Sequence, residues 1–132
     1  MSSSPEVSHA PEVLSRLEDK VRPEHTALLI VDMQNDLIDP KGKVAVKGGR
    51  DLTTSRAVIP AIQRLAAGAR KAGALVVYIQ GTTLPDMRGC SGPWLDARSF
   101  AKFTVTDIVM DGTWGQEIIP ELAPEPTDLV VK

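Results

Sequence analysis

The sequence predicts an α/β fold built on a parallel sheet, and three observations carry that prediction. The runs at 26–31 and 74–79 are continuously apolar and of strand length, the pattern of strands covered on both faces. A helical pattern over 54–72 joins them, giving a strand–helix–strand unit whose crossover is right-handed. A third run, 128–131, has the same buried-strand character. Three parallel strands in the order 3-2-1 with one long crossover helix are half of a doubly wound sheet, so the expected architecture is Rossmann-like, with three αβα layers.

Each element has a local reason. Residues 10–20 read as a short helix, with Pro11 suited to the first turn and Val13, Leu14 and Leu17 on one stripe. Arg22-Pro23 ends it. After the first strand the chain turns abruptly polar at Asp32-Met33-Gln34-Asn35-Asp36, and Asp39-Pro40-Lys41-Gly42 signals a turn. In the long helix, Thr53, Thr54 or Ser55 is the expected cap. Val58, Ile62, Leu65, Ala66 and Ala69 form its apolar face, and Gly73 stops it. Pro60 fits only a first turn, which allows the regular helix to begin as late as Ile59. Residues 81–113 are rich in Gly and Pro with little periodicity, a long excursion of the kind that forms functional rims. A short helix is expected from Gly115 to Leu122, cut by Pro120, followed by a stiff turn at 124–127.

Composition removes several classes of function. The chain has 132 residues, 42% hydrophobic and 24% charged, with 15 basic against 17 acidic side chains and a formal net charge of −2. That balance gives no electrostatic footprint for nucleic acid, and no apolar run approaches the roughly 18 residues of a membrane span. One core and one domain are expected, with residues 1–9 as a flexible tail and 10–132 as the folded part. The single cysteine, Cys90, excludes an internal disulfide. With no basic and apolar leader pattern at the N-terminus, the cytoplasm is the expected compartment.

In an open α/β sheet, ligands bind beyond the carboxyl ends of the strands. Asp32 follows the first strand, Gln80 the second and Lys132 the third, so all three face one rim. An Asp–Lys pair there keeps one carboxylate ionised and one ammonium fixed, a device for moving a proton and stabilising an anion. An Asp in this position also reads as a turn or helix cap. Cys90 sits in Arg88-Gly89-Cys90-Ser91-Gly92 with a cation nearby but no His close in sequence, and reads as a bystander thiol. Trp94 and Trp114 are candidates to line a pocket or to pack under the excursion. His9 and His25 stand far from Cys90, with no zinc-like spacing, and no phosphate-loop motif is present.

The segment Thr26-Ala27-Leu28-Leu29-Ile30-Val31-Asp32-Met33-Gln34-Asn35-Asp36-Leu37 resembles the opening motif of the isochorismatase-like cysteine hydrolases. Gly112-Thr113-Trp114-Gly115, with Glu117-Ile118-Ile119-Pro120-Glu121-Leu122, resembles the stretch before that family's third strand. Asp128-Leu129-Val130-Val131-Lys132 resembles the strand itself with its lysine. The matches come in family order and spacing and cover about residues 10–132, the first half or so of a domain whose full strand order is 3-2-1-4-5-6.

The resemblance implies an Asp–Lys–Cys triad. Asp32 matches the base that takes the thiol proton, and Lys132 matches the lysine that holds the Asp and the developing charge. The nucleophilic cysteine follows the family's fourth strand, beyond the point where this sequence stops; Cys90 does not match it. Gln34, Gln80 and Trp114 are the candidate substrate contacts. The metal-dependent nicotinamidase branch resembles a pattern with an Asp and two His after the second strand. Here Gln80-Gly81-Thr82-Thr83-Leu84-Pro85-Asp86 has no His, so neither metal nor other cofactor is expected. The implied activity is hydrolysis of a C–N bond in a small amide, carbamoyl or ureide substrate. The alternatives are a truncated, non-catalytic member serving as a binding module and a vinyl-ether hydrolase of the isochorismatase type. The expected partners are the small substrate and a second protein surface, either in a homo-oligomer or from the missing C-terminal half; neither nucleic acid nor membrane is expected.

Overall fold

The computed structural model describes residues 13–99 and 107–132. Its centre is a parallel sheet of β1 (Ala27–Val31), β2 (Leu75–Ile79) and β3 (Leu129–Val131) in the order β1-β2-β3. Leu28 pairs with Val76 and Ile30 with Tyr78, while Tyr78 pairs on its other side with Val130. The predicted sheet, its parallel sense and its order all hold.

Helices in chain order are α1 (Leu17–Lys20), α2 (Asn35–Ile38), α3 (Lys43–Val46), α4 (Thr53–Ala57), α5 (Ile59–Ala72) and α6 (Gly92–Ser99). The predicted crossover helix is thus two helices broken at Val58, with Pro60 in the first turn of α5. The start is held by Asp51, which accepts both the N–H and the hydroxyl of Thr53, and not by a Thr or Ser cap. At the other end Gly73 adopts φ 81°, and the Ala74 N–H reaches back to the Ala69 carbonyl at 2.9 Å. A left-handed residue of this kind is where glycine ends helices most readily.

The core lies between α5 and one face of the sheet. Ile59 and Ala66 from α5 meet Ile30, Val76 and Tyr78 from the sheet, and Ile119 and Leu122 close the end. Truncating a fully buried residue such as Ile119 to alanine is expected to cost about 2–5 kcal/mol. The buried face of α5 keeps Ile62, Ala66 and Ala69 of the predicted one and adds Ile59, whereas Val58 and Leu65 are exposed.

Other expectations need correction. The N-terminal helix is a single turn, Leu17–Lys20, and its stripe of Val13, Leu14 and Leu17 is exposed. Pro11 and the expected tail, 1–9, lie outside the described residues. The excursion holds α6, where Ser91 Oγ accepts the Trp94 N–H at 3.3 Å at the start of the helix. In place of one short helix at 115–122 there are two 3-10 turns, Trp114–Gln116 and Pro120–Leu122. The strands are not covered on both faces among the described residues: Leu29 and Val31 are 55% and 50% exposed.

Candidate active site at the carboxyl rim of the sheet

Asp32 extends the β1 ladder by one bond, donating its N–H to the Ile79 carbonyl at 3.0 Å, and then turns the chain with φ 59°. Asp tolerates this left-handed region better than most residues. The turn places Asp32 on a cavity of about 610 Å³, whose other walls include Gly81, Thr83, Cys90, Trp94 and Val109. Cys90 therefore shares a cavity with Asp32, although the two are far apart in sequence.

Beyond Asp32 the chain dives inward. Gln34 is fully buried. Its amide N–H groups donate to the Gly81 and Gln116 carbonyls at 2.8 and 2.7 Å, and its oxygen accepts the Gly81 N–H at 2.7 Å. Every hydrogen bond of that amide goes to the backbone, so the side chain staples the end of β1 to the segment leaving β2. Gln80 donates to the same Gln116 carbonyl at 2.8 Å. Gln116, also buried, sends its amide to Thr82 Oγ1 and Asp111 Oδ1 at 2.7 and 3.2 Å. Trp114 is exposed at its side chain, and its carbonyl accepts from Asn35 Nδ2 at 2.8 Å. Of the two tryptophans, Trp94 lines the cavity and Trp114 does not.

Lys132 projects from the end of β3, half exposed, and donates to Asp111 Oδ1 at 3.0 Å. This corrects the expected Asp32–Lys132 pair: among the described residues the ion pair of Lys132 is with Asp111, and Asp32 has none. The geometry explains the choice. Lys132 lies two strands from β1, whereas Asp111 is held close by Gln116. The Lys132 ammonium, and then the Gln116 amide, keep the Asp111 carboxyl below the usual carboxylate range.

Sequence reasoning named Trp94 as a candidate pocket residue, but it did not single out Asp111 or Gln116, nor place Cys90 and Trp94 on the cavity of Asp32. Gln116 acts through partners 34 and 82 positions away, and no local pattern announces such pairings. Among the described residues no three His, Cys, Asp or Glu side chains converge as a metal ion requires, and no helix is long and apolar enough to cross a membrane.

The chain is 32% identical over 130 residues to the ureidoacrylate amidohydrolase RutB of Azorhizobium caulinodans, covering 92% of this chain and 55% of that protein. Its fold matches a cysteine hydrolase from Pseudomonas syringae pv. phaseolicola with TM-score 0.68 and 25% identity, over 92% of this chain and 51% of that one. It also matches an N-carbamoylsarcosine amidase from Thermoplasma acidophilum with TM-score 0.51 and 26% identity, over 79% of this chain and 49% of that one. The chain thus spans about half the length of the relatives it matches. Residues 26–132 match the Isochorismatase domain, and the chain belongs to that family of hydrolases.

Proposed function

We propose that this chain supplies the Asp32 and Lys132 side of an amide-hydrolysing site that cleaves a C–N bond in a small carbamoyl or ureide substrate. The observation that carries the reading is the position of Asp32. It stands at the carboxyl end of β1 on a cavity of about 610 Å³, a volume suited to a small molecule. The similarity to an ureidoacrylate amidohydrolase and to a carbamoylsarcosine amidase supports the amide class.

The chemistry follows the family resemblance. A thiol contributed by the other half of the site gives its proton to Asp32, and the thiolate adds to the amide carbonyl. The lone pair on the resulting oxyanion reforms the carbonyl as the C–N bond breaks, and the proton held by Asp32 leaves with the amine. Water, deprotonated by Asp32, then cleaves the thioester and returns the thiol. Lys132 provides positive charge for the anion that develops at the carbonyl. Gln34 and Gln80 position the rim through Gln116, and Trp94 adds an apolar wall. The substrate is the only small-molecule partner the reading requires.

The test is hydrolysis of ureidoacrylate, N-carbamoylsarcosine and biuret by the protein in which this chain is joined by the nucleophile-bearing half. Asp32→Asn and Lys132→Met should each lower kcat/KM at least about 100-fold. Turnover of any of the three that survives Asp32→Asn would overturn the assignment.

A further inference from the structure

Two residues on the cavity hold left-handed backbone without being glycine: Asp32 at φ 59° and Val109 at φ 47°. For aspartate this is tolerable; for a β-branched residue it is a strained conformation that persists only where the surroundings impose it.

The surroundings of Val109 are specific. Its N–H donates to Asp36 Oδ2 at 2.8 Å, and its carbonyl accepts the Thr83 N–H at 3.0 Å. The Asp36 side chain is 2% exposed, and its other oxygen accepts the Lys43 N–H at 3.2 Å. Lys43 Nζ stands 4.0 Å from Asp36 Oδ2 and donates to the Asp107 carbonyl at 2.5 Å. Its ammonium also pairs with the Asp107 carboxylate, as does that of Lys47, both at 3.1 Å.

The space around the Asp36 carboxylate is fitted to it. A Cβ on Gly115 would come within 2.2 Å of Oδ2, so that position admits no side chain while the carboxylate is in place. On the cavity side, a Cβ on Gly81 would lie 3.4 Å from Asp32 Oδ1 and 3.8 Å from Val109 Cγ2. The Val109 methyl group and the Asp32 carboxylate therefore flank the same small volume.

We propose that Asp36 is a positioning residue of the site: its buried carboxylate, through the Val109 N–H, holds Val109 in left-handed backbone and so fixes the wall that faces Asp32. The functional meaning of that wall rests on the amide-hydrolase reading, but the clamp itself does not. Asp36 acts one hydrogen bond away from the cavity and touches no reacting atom. Lys43 pairs more closely with Asp107, at 3.1 Å, than with Asp36, at 4.0 Å, and the Asp36 carboxylate is the side chain that hydrogen-bonds Val109.

The experiment is substrate-free NMR on the labelled protein, which decides the clamp whether or not amides are hydrolysed. A through-hydrogen-bond coupling between Val109 ¹⁵N and Asp36 ¹³Cγ is expected, together with a nuclear Overhauser contact between the Val109 methyl and Gly81. In Asp36→Ala that contact should vanish and Val109 amide exchange should speed up at least about tenfold, while Val76 and Tyr78 in β2 keep their protection. In Lys43→Met, Val109 exchange should stay within about threefold of wild type. Absence of the coupling, an unchanged Val109 in Asp36→Ala, or loss of its protection in Lys43→Met would each overturn the proposal. If Asp36→Ala does not fold, the coupling and the Lys43→Met result decide it.

Discussion

Lys132 Nζ lies 3.0 Å from Asp111 Oδ1 at the carboxyl rim of the sheet. Both side chains are about half exposed, so the pair adds little to stability; its readable consequence is the lowered pKa of Asp111. Lys132→Met should raise the Asp111 carboxyl towards the ordinary aspartate value of about 3.9. The sign follows from linkage: a depressed carboxyl contributes stability above its unfolded pKa and loses it as pH falls through the folded one. A ¹³C NMR titration of the Asp111 carboxyl checks this, and an unchanged value in Lys132→Met would remove the lysine as the cause.

A stronger pair ties α5 to the turn before β3. Arg70 reaches Asp128 Oδ2 at 2.6 Å, and the Asp128 carboxylate is almost wholly buried. The same oxygen accepts the Glu125 N–H at 2.8 Å. Hydrogen bonding to Arg70 is the main cause of the lowered Asp128 pKa and of the raised Arg70 pKa. Asp128→Ala leaves a mostly buried guanidinium with the Glu125 carboxylate and a 3.4 Å bond to the Tyr78 hydroxyl, so a loss of about 3 kcal/mol is expected in urea unfolding at pH 7. The wild-type contribution should be complete above about pH 5 and decline below the ordinary aspartate value of about 3.9. The gap between wild type and Asp128→Ala should therefore narrow at acid pH; a constant gap down to pH 2.5 would exclude the ion pair as its source.

The parts legible in the sequence are those set by local rules. Continuous apolar runs gave the three strands, Pro60 placed the start of α5 at Ile59, and Gly73 marked its end. The Ser91-Gly92-Pro93 start of α6 was also readable, since Ser caps and early prolines open helices, but the glycines around it masked the signal. The illegible parts are long-range. Asp36 meets Val109 across 73 positions, and Gln34 meets Gln116 across 82. Periodicity found Ile62, Ala66 and Ala69 on the inward face of α5, but that Ile59 joins them while Val58 and Leu65 stay exposed was a matter of packing against Tyr78 and Ile119. Asp32 and Lys132 were each placed on the correct rim, but the partner of Lys132 depended on where Gln116 holds Asp111.

Gly81 is the cheapest place to narrow the cavity beside Asp32. A Cβ there would sit 3.4 Å from both Asp32 Oδ1 and Gln34 Oε1, the near edge of ordinary contact. Gly81→Ala should accordingly fold, with a melting temperature within about 5 °C of wild type. Its methyl group takes space that a reacting amide needs next to the carboxylate. In the joined enzyme, kcat/KM on the amide panel should drop at least about tenfold. Equal activity with an unchanged melt would show that the substrate does not approach Asp32 from the Gly81 side.

Cys90 lines the same cavity as Asp32, yet under the proposed function it is not the nucleophile. A preparation consisting of residues 1–132 alone should therefore show no turnover of ureidoacrylate, N-carbamoylsarcosine or biuret, because Asp32 and Lys132 without a positioned thiolate only orient water. In the joined enzyme, Cys90→Ala should change kcat/KM by less than about threefold. Turnover by residues 1–132 that Cys90→Ala abolishes would make Cys90 the nucleophile.

Among the described residues β1 is the edge of the sheet, paired only with β2. Its outward residues Leu29 and Val31 are about half exposed, and Leu129 and Val131 continue the same apolar face across the sheet. Leu65 and Leu28 line a further apolar groove beside that edge, with a volume of about 350 Å³. No charge, proline or bulge interrupts Ala27–Val31, and an unprotected edge of this kind templates pairing with another chain. Residues 1–132 alone should therefore run above 14.2 kDa in size-exclusion chromatography with light scattering. Leu29→Lys, which puts a charge on the open face without touching the core face of Ile30, should shift the distribution towards monomer. A monodisperse wild-type species of 14.2 kDa with a cooperative melt would show that the edge and the open face are satisfied within the chain itself.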